Sequence, residues 1–354
     1  MSATRRILRT LLFLLALTIA AGAYLFYRLK HPGSGTTPPA EVTIVFPMGT
    51  PTSQIFRRLG QAGVLADPRL AEIYYRLYRV STPLQAGEYR FTRPMPVDDV
   101  INRMAHGDVV KYTIVVPEGL TAPETFELFW KQGIGGPEAF AQALQATELL
   151  PGLTQKVSDL EGFLFPETYV VTRSTSARQI VDRMVNEFHR NFTEDMQQKA
   201  RALGMTPRQA VTLASIVEKE SALPEEGPLI ASVYLNRLKR GMRLQADPTV
   251  IYALKRDGKW TGLLHRSEYG YDSPFNTYLY DGLPPEPICN PGRKALKAAV
   301  SPAKADFLYF VADDSGGHTF SRTFEEHLRA ISTVRKLRAE AETAAEPAAA
   351  SATQ

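Results

Sequence analysis

The chain has 354 residues, of which 44% are hydrophobic and 22% are charged, and its formal net charge at pH 7 is +4. Five of the 41 basic residues lie in residues 1–30, so the other 36 balance the 37 acidic residues. A nucleic-acid-binding protein needs a basic face, and this balance of charges does not suggest one. The single cysteine, Cys289, can form neither an intramolecular disulfide nor a cysteine-based metal site.

The N-terminus carries an uncharged, apolar run from Thr10 to Tyr27 that follows three arginines. At about 1.5 Å per residue, this run is just long enough to cross the hydrocarbon core of a bilayer. We interpret residues 1–30 as a cytoplasmic stub and a single transmembrane anchor, because the slight excess of positive charge before the run favours a cytoplasmic N-terminus. The alternative is a cleaved signal peptide, since Ala21 to Ala23 fits a cleavage site.

A sequence repeat indicates a small module after the anchor. The segment Val42–Gly49 recurs as Tyr112–Gly119, and each copy predicts a strand, a Pro-x-Gly turn and an amphipathic helix. A strand at Gly87–Phe91 and a helix at Val97–Met104 are predicted between the copies. Residues 42–148 are therefore predicted to form a small α+β module, or two related ones, that binds or positions a ligand.

The remaining segments are a linker, a larger domain and a tail. Residues 31–41 have the proline- and glycine-rich composition of a linker. Residues 149–336 are predicted to form a larger α+β domain, whose aromatic and amide-rich loops are typical of a saccharide groove; within it, Phe307–Val311 is predicted as a buried strand. Residues 337–354 have low complexity and are predicted to be a helix that frays into a disordered tail.

A helix over Thr206–Ser221 carries the most informative carboxylate. Its start is marked by the capping hydroxyl of Thr206 and by Pro207 in the first turn. At about 100° per residue, Glu220 shares the apolar side with Leu213 and Ile216, whereas Glu218 should face solvent. A desolvated carboxyl has a raised pKa and can act as a general acid near neutral pH. From the spacing alone, Glu220 could equally reach out of the helix end or pair with a cation.

Five segments in this half of the chain carry a family resemblance. They are ASIVEKES (214–221), NRLKRGMRLQADPTVIYAL (236–254), SPFNTY (273–278), GLPP (282–285) and FVADDSGGHTFSRT (310–323). In this order they resemble the endolytic murein transglycosylase, or YceG-like, family over essentially the whole chain. The resemblance implies a LysM-like module at 42–148 and a lytic-transglycosylase-type catalytic domain at 149–336. Glu286 and Leu328 depart from residues common in the family.

The resemblance also implies the site residues. The catalytic acid falls on Glu220, in agreement with the helical phase. The implied substrate-binding residues are Ser221, Gln245, Asp247, Thr249, Tyr252, Asn276 and Tyr278. His318, in a Gly-Gly-His-Thr stretch, is a further candidate for substrate contact, with a hydrogen-bonded structural histidine as the alternative. The sequence has no HExxH-type histidine pair, and neither a metal nor a cofactor is expected.

The implied reaction is cleavage of the β-1,4 bond between N-acetylmuramic acid and N-acetylglucosamine, with 1,6-anhydromuramoyl ends as products. The implied setting is the bacterial inner membrane, with the catalytic domain on the periplasmic face. Peptidoglycan strands and the membrane are the expected partners, and we hypothesise that the anchored enzyme terminates nascent glycans close to peptidoglycan polymerases. Two alternatives stay open: a hydrolytic muramidase with Asp247 or Glu161 as second carboxylate, and an inactive glycan-binding assembly scaffold.

Overall fold

The structure is a computed structural model. It describes residues 3–31, 40–151, 157–223, 225–313 and 316–351. The chain forms two compact units: unit 1 comprises Met1–Thr113 and Val170–Thr175, and unit 2 comprises Ile114–Tyr169 and Ser176–Gln354. Helices and short strands occur together in the fold, which confirms the predicted α+β class. Most of the predicted linker lies outside the described residues.

Unit 1 is built around one antiparallel strand pair. Its elements are α1 (Ala3–Lys30), β1 (Ala40–Phe46), α2 (Thr52–Gln61), α3 (Pro68–Tyr74), a π-helical turn (Tyr75–Arg79), β2 (Gly87–Arg93) and α4 (Val97–Ala105). β1 and β2 pair with Val42 opposite Phe91. The core of unit 1 includes Phe46, Phe56 and Met104. It is formed by alternate residues of β1 and by the apolar faces of α2 and α4, as the alternation of apolar residues in the sequence predicts.

The first helix, α1, is the one helix among the described residues that is long and apolar enough to cross a membrane. Its side chains are exposed from Arg5 to Arg28. At its C-terminal end, Leu29 packs against the core of unit 1, and Nζ of Lys30 lies 2.9 Å from Oδ2 of Asp98. This helix is consistent with the predicted anchor.

Unit 2 is mainly helical. Two strands, β3 (Tyr112–Val115) and β4 (Thr168–Val171), pair with each other where the chain passes from one unit to the other. The other elements are α5 (Ala122–Trp130), α6 (Pro137–Leu144), α7 (Ala177–Asn191), α8 (Glu194–Ala202), α9 (Pro207–Glu220), α10 (Gly227–Lys239), α11 (Asp247–Arg256), α12 (Arg293–Val300), β5 (Tyr309–Ala312), β6 (His318–Ser321) and α13 (Phe324–Ser351). β5 and β6 form an antiparallel hairpin with Ala312 opposite His318.

The central helix of unit 2 is α9. Every residue from Ala210 to Val217 is buried, because α8, α10, α11 and α12 all pack against it. Its start follows the sequence prediction: the Thr206 hydroxyl accepts a hydrogen bond from the Gln209 amide at 3.2 Å, and Pro207 occupies the first turn. α9 ends at Glu220, with Ser221 in an extended conformation.

The division into units differs from the predicted domain boundary. It falls between Thr113 and Ile114, whereas the sequence suggested residue 148. The reason is aromatic packing: Phe126 of α5 stacks on Phe140 of α6, Phe129 packs against the same ring at a tilt, and α6 packs against α7 within unit 2. The helices of the two repeat copies therefore belong to different units, and a LysM-like module stays a prediction.

Two further segments bear on the sequence predictions. α13 continues to Ser351, in keeping with the high helix propensity of alanine, and the fraying of the tail into disorder stays a prediction. The strand predicted at Phe307–Val311 begins at Tyr309 and is half-buried. The prediction of a fully buried strand is wrong because only Leu308 is enclosed in the core, while Phe310 borders a cavity.

The buried side chain of Asn290 supplies a test of how unit 2 is held together. Its Oδ1 accepts hydrogen bonds from the amides of Gly162 and Leu164 at 3.0 Å each, and its Nδ2 donates to the Leu120 carbonyl at 3.0 Å. We expect Asn290→Ala to lower the free energy of unfolding by about 3 kcal/mol, because the buried amides of Gly162 and Leu164 lose their acceptor, whereas the Leu120 carbonyl keeps the backbone amide of residue 290 as a donor. Urea unfolding, monitored by tryptophan fluorescence, measures this free energy.

The two tryptophans of the chain, Trp130 and Trp260, both lie in unit 2 and report on it. The control is Gln198→Ala on the exposed face of α8, for which we expect a change below about 0.5 kcal/mol. Equal urea midpoints for Asn290→Ala and Gln198→Ala would contradict this role of Asn290.

Candidate active site

A cavity of about 290 Å³ lies at the C-terminal end of α9. It is lined by Glu220, Tyr234, Arg237, Leu244, Gln245, Asp247, Tyr278, Phe310 and His327. The structure thus brings four of the predicted site residues together: Glu220, Gln245, Asp247 and Tyr278. A larger groove of about 460 Å³, beside the Gly282–Pro285 loop, has no carboxylate among its described lining residues.

Glu220 has the electrostatics of an acid that is protonated near neutral pH. Burial raises the pKa of Glu220 to about 7, and the charge of Asp247 acts in the same direction. The Tyr234 hydroxyl donates a hydrogen bond to Oε1 of Glu220 at 2.8 Å and partly offsets this rise in pKa. A carboxyl with a pKa near the working pH can both donate and accept a proton in one reaction cycle.

Two residues of α10, Tyr234 and Arg237, form part of the cavity wall. The sequence did not predict them as site residues. They are three residues apart, so they lie on one face of the helix. Arg237 is buried; its Nε donates to the Leu308 carbonyl at 2.7 Å and its Nη1 to the Leu244 carbonyl at 2.9 Å. Arg237 therefore fixes α10 to two segments that line the cavity. The available signal was a tyrosine and an arginine at helical spacing in a largely apolar helix.

Asp247 is held by two tyrosines. Its Oδ1 accepts a hydrogen bond from the Tyr278 hydroxyl at 2.5 Å, and its Oδ2 accepts one from the Tyr269 hydroxyl at 3.2 Å. The two rings meet edge to face, with centroids 4.7 Å apart. Asp247 is also the first residue of α11, where the helix dipole stabilises a carboxylate. Asp247 thus orients Tyr278 at the cavity.

Gln245 lies in the loop before α11 and has a φ of +49°, the left-handed region that non-glycine residues rarely adopt. Its amide donates to the Thr277 carbonyl at 3.1 Å, which helps to hold this conformation. Strained backbone of this kind concentrates at functional sites, and Gln245 lines the cavity beside Asp247.

Thr249 and Tyr252 lie in the core and not in the cavity lining. The Thr249 hydroxyl donates to the Ala246 carbonyl at 2.6 Å and lies 2.9 Å from the Thr277 hydroxyl. Tyr252 packs on Phe275, with ring centroids 5.0 Å apart. Both residues support the loop that carries Gln245 and Asp247, and direct binding of substrate by them stays a prediction.

Asn276 is fully buried and organises the neighbouring loop. Its Nδ2 donates to the carbonyls of Tyr269 and Tyr271 at 3.0 and 2.8 Å, and its Oδ1 accepts from the Tyr278 amide at 2.9 Å. It therefore sets the backbone positions of both tyrosines that bind Asp247. A direct contact between Asn276 and substrate stays a prediction.

Ser221 and His318 make other contacts. The Ser221 hydroxyl donates to the Leu223 carbonyl at 2.8 Å, and Ser221 lines a separate cavity of about 40 Å³. The His318 amide donates to Oε1 of Glu226 at 2.8 Å, and its Nδ1 lies 2.7 Å from Oε2 of the same residue. These bonds agree with the structural alternative for His318, and substrate binding by either residue stays a prediction.

The expectation that Glu218 faces solvent is wrong. Its Oε2 accepts a hydrogen bond from the Gly292 amide at 2.9 Å, and burial raises its pKa. The cause is tertiary: the chain before α12 covers this side of α9, which the helical phase alone cannot show. Glu218 lines the small cavity with Ser221, not the cavity of Glu220.

His327 of α13 also lines the cavity. Its ring stacks on Tyr309 with centroids 5.2 Å apart, and burial lowers its pKa. Nδ1 of His327 is buried and has no hydrogen-bond partner within the described part of the chain. The next residue, Leu328, is half-exposed and is one of the two departures from the family pattern.

Glu161 and Glu286 have structural contacts outside the cavity lining. Both carboxylate oxygens of Glu161 accept the Ala122 amide, at 3.0 and 3.1 Å, and Glu161 thereby caps α5. Glu286, the other departure from the family pattern, accepts hydrogen bonds from the backbone amide and the hydroxyl of Ser158, at 2.6 Å each. Of the two candidates for a second carboxylate, Asp247 and Glu161, only Asp247 lines the cavity with Glu220.

Comparisons with known proteins agree on one family. The sequence model of the YceG-like family matches residues 44–333. A protein of Bacillus subtilis (strain 168) named endolytic murein transglycosylase is 33% identical over 334 residues, which cover 88% of this chain and 90% of the relative. A protein of the same name from Streptococcus pneumoniae serotype 2 is 30% identical over 319 residues, which cover 82% of this chain but only 58% of the relative.

A solved structure agrees with these sequence matches. A yceG-like protein from Listeria monocytogenes superimposes with a TM-score of 0.52 and 32% sequence identity. The match covers 82% of this chain and 98% of the Listeria chain. The resemblance identified from the five sequence segments is therefore confirmed.

The hydrogen bond from Tyr234 predicts a shift in the acidity of Glu220. We expect Tyr234→Phe to raise the pKa of Glu220 further, because the lost hydroxyl stabilises the ionised carboxylate. Carbon-13 NMR titration of the Glu220 carboxyl measures this pKa. The control is Tyr271→Phe, which removes a hydroxyl bound to Asp257 and Lys259 away from the cavity. An unchanged or lowered pKa in Tyr234→Phe would contradict the prediction.

Proposed function

The chain belongs to the YceG-like family, and from that premise we propose that it is a membrane-anchored endolytic lytic transglycosylase of peptidoglycan. It cleaves the β-1,4 bond between N-acetylmuramic acid and N-acetylglucosamine and leaves 1,6-anhydromuramoyl ends. The observation that carries the proposal is Glu220, a carboxyl with a pKa of about 7 at a cavity lined by polar and aromatic side chains.

In the first step, protonated Glu220 donates its proton to the glycosidic oxygen, and the bond to C1 of the muramoyl sugar breaks. Oε1 of Glu220 accepts the Tyr234 hydroxyl, so we assign Oε2 to the proton transfer. The acetamido group of the sugar stabilises the cationic centre at C1. As the proton leaves, the Tyr234 hydrogen bond stabilises the carboxylate that forms.

In the second step, the Glu220 carboxylate removes the proton from the C6 hydroxyl of the same sugar. The C6 oxygen attacks C1, which closes the anhydro ring and returns Glu220 to its protonated form without consuming water. A hydrolytic glycosidase usually needs a second carboxylate as nucleophile or base. Here the substrate supplies the nucleophile, so a single acid/base residue suffices.

The other cavity residues bind and orient the sugar in this proposal. Gln245 offers a side-chain amide, Tyr278 an aromatic face, and Phe310 an apolar surface at the same cavity. Amides can hydrogen-bond sugar hydroxyls, and the flat rings can pack on sugar faces. We assign Asp247 to positioning, because each of its oxygens already accepts a tyrosine hydroxyl.

The anchor determines where the enzyme can act. We propose that α1 spans the inner membrane with the folded units on the periplasmic side, so that the active site reaches strands close to the membrane surface. Newly made strands are the ones found there, and cleavage would terminate them near their polymerases. The apolar length of α1 and the arginines that precede it support this orientation.

The second candidate function is a hydrolytic muramidase. It is favoured by one observation, namely that Asp247 lines the same cavity as Glu220 and raises its pKa. In that reaction Asp247 would activate water or attack C1, and the product would carry one more water than the anhydro form. An inactive scaffold would give neither product.

Removal of the Glu220 acid tests the catalytic assignment. We expect Glu220→Gln to lower the rate of anhydro-end release from purified glycan strands by at least about 100-fold, the usual loss when a general acid/base is removed. Mass spectrometry of the products measures the rate and separates anhydro from hydrolysed ends.

The matched control is Glu218→Gln in the same helix. Its side chain can still accept the Gly292 amide, so we expect a rate close to that of the parent chain. If Glu220→Gln released anhydro ends as fast as Glu218→Gln, the assignment of Glu220 would be wrong.

Replacement of Asp247 separates the two candidate reactions. The Asp247 charge raises the pKa of Glu220, so Asp247→Asn lowers it, and activity that needs protonated Glu220 should decline at a lower pH than in the parent. The anhydro product should persist below that pH. Loss of all product at every pH would instead favour a catalytic carboxylate at Asp247. The pH-rate profile and product masses provide the measurement.

A further inference from the structure

We propose that unit 1 makes a second contact with the membrane, through the surface formed by α3 and the π-helical turn. This surface, which we call the α3 surface, comprises Leu70, Ile73, Leu77, Tyr78 and Val80. Its occupant is the lipid of the membrane that α1 crosses. The inference rests on the proposed anchor and adds to it an interfacial contact of the folded unit.

The α3 surface is continuous with the anchor helix. A cavity of about 560 Å³ is lined on one side by Gly22, Leu25 and Phe26 of α1. Its other side is formed by residues of the α3 surface, Ile73 and Leu77 among them. Gly22 lies eight residues before Lys30, so the cavity extends about 12 Å along α1 from its C-terminal end.

The length of the anchor sets the depth of this cavity. The uncharged run from Thr10 to Tyr27 spans about 27 Å as a helix, compared with about 30 Å for the hydrocarbon core. The whole run is therefore needed to cross the core, including Gly22 and Phe26. Side chains of the α3 surface that share a cavity with these two residues must reach the acyl chain boundary.

The exposure of the α3 surface is large for a unit in water. Ile73 is 54% exposed, Leu77 68%, Tyr78 72% and Val80 66%. A cluster of exposed apolar side chains of this kind marks an interaction surface. Lipid removes these side chains from water without any change in the fold of unit 1.

The contacts that attach α1 to unit 1 maintain this arrangement. Leu29 packs against the core of unit 1, and Lys30 pairs with Asp98 at 2.9 Å. Asp98 also accepts a hydrogen bond from the Tyr74 hydroxyl at 2.9 Å and pairs with Arg79 at 3.3 Å. One carboxylate therefore joins the end of the anchor to α3 and to the π-helical turn.

The polar residues around the α3 surface fit the headgroup region. Tyr78 packs against Tyr74 with ring centroids 5.5 Å apart, and tyrosine is enriched at the membrane interface because its ring is apolar and its hydroxyl polar. The Arg76 side chain pairs with Glu72 at 2.7 Å and is 62% exposed beside them, so that its other N–H groups can reach lipid phosphate. An aqueous protein partner would not require the surface to adjoin the anchor.

Lipid quenching of a site-specific label tests the proposal in the full chain. A bimane label is attached to Leu77→Cys, and the protein is reconstituted in vesicles of phosphatidylethanolamine and phosphatidylglycerol with or without nitroxide-labelled lipid. Cys289 is fully buried and should not react. We expect the label at position 77 to lose about half its emission, since interfacial apolar surfaces lie about 5–10 Å inside the headgroup boundary.

Two control positions make the outcomes distinct. Met48→Cys, on a turn of unit 1 at 92% exposure, should keep its emission, and Leu17→Cys in the middle of α1 should be strongly quenched. Quenching at Leu17 but not at Leu77 would overturn the α3 surface and leave the anchor intact. Absence of quenching at Leu17 would contradict both the membrane contact of the α3 surface and the proposed anchor. Equal quenching at Leu77 and Met48 would also contradict a contact confined to the α3 surface.

Discussion

The desolvation of one carboxyl at the end of a buried helix is the constraint on which the site depends. α9 is enclosed by four helices, and Glu220, its last residue, lies half-buried at the cavity. Its position at the C-terminal end of α9 adds the negative end of the helix dipole, which also disfavours the carboxylate. Tyr234 offsets part of this cost and keeps the pKa near 7. In the proposed function, this balance lets Glu220 donate a proton and be reprotonated at neutral pH.

The loops that line the cavity are held by buried polar side chains that satisfy their backbone. Asn276 binds three backbone groups, and Thr249 and Thr277 bind each other and the turn before α11. A buried loop without such partners would leave polar groups unpaired, at a cost of several kcal/mol. The residues that look like substrate ligands in the sequence therefore divide into two sets. Gln245 and Tyr278 face the cavity, whereas Thr249 and Asn276 hold them there.

The sequence predicted α9, its capped start and the apolar side on which Glu220 lies, because these depend on local spacing. It failed where the outcome depends on distant packing. Glu218 is covered by the chain before α12. Tyr234, Arg237 and His327 were missed because nothing in their local sequence shows that three separate elements meet at Glu220.

Two carboxyls of unit 2 show why a raised pKa alone does not identify a catalytic acid. Burial raises the pKa of Glu161 to about 8, above that of Glu220. Glu161, however, accepts the Ala122 amide with both oxygens and borders no part of the cavity, so its proton has no substrate to reach. Glu220 binds Tyr234 through Oε1 and lies at a cavity large enough to admit part of a sugar. The combination of desolvation with access to a cavity is what distinguishes Glu220, the acid of the proposed function, from Glu161.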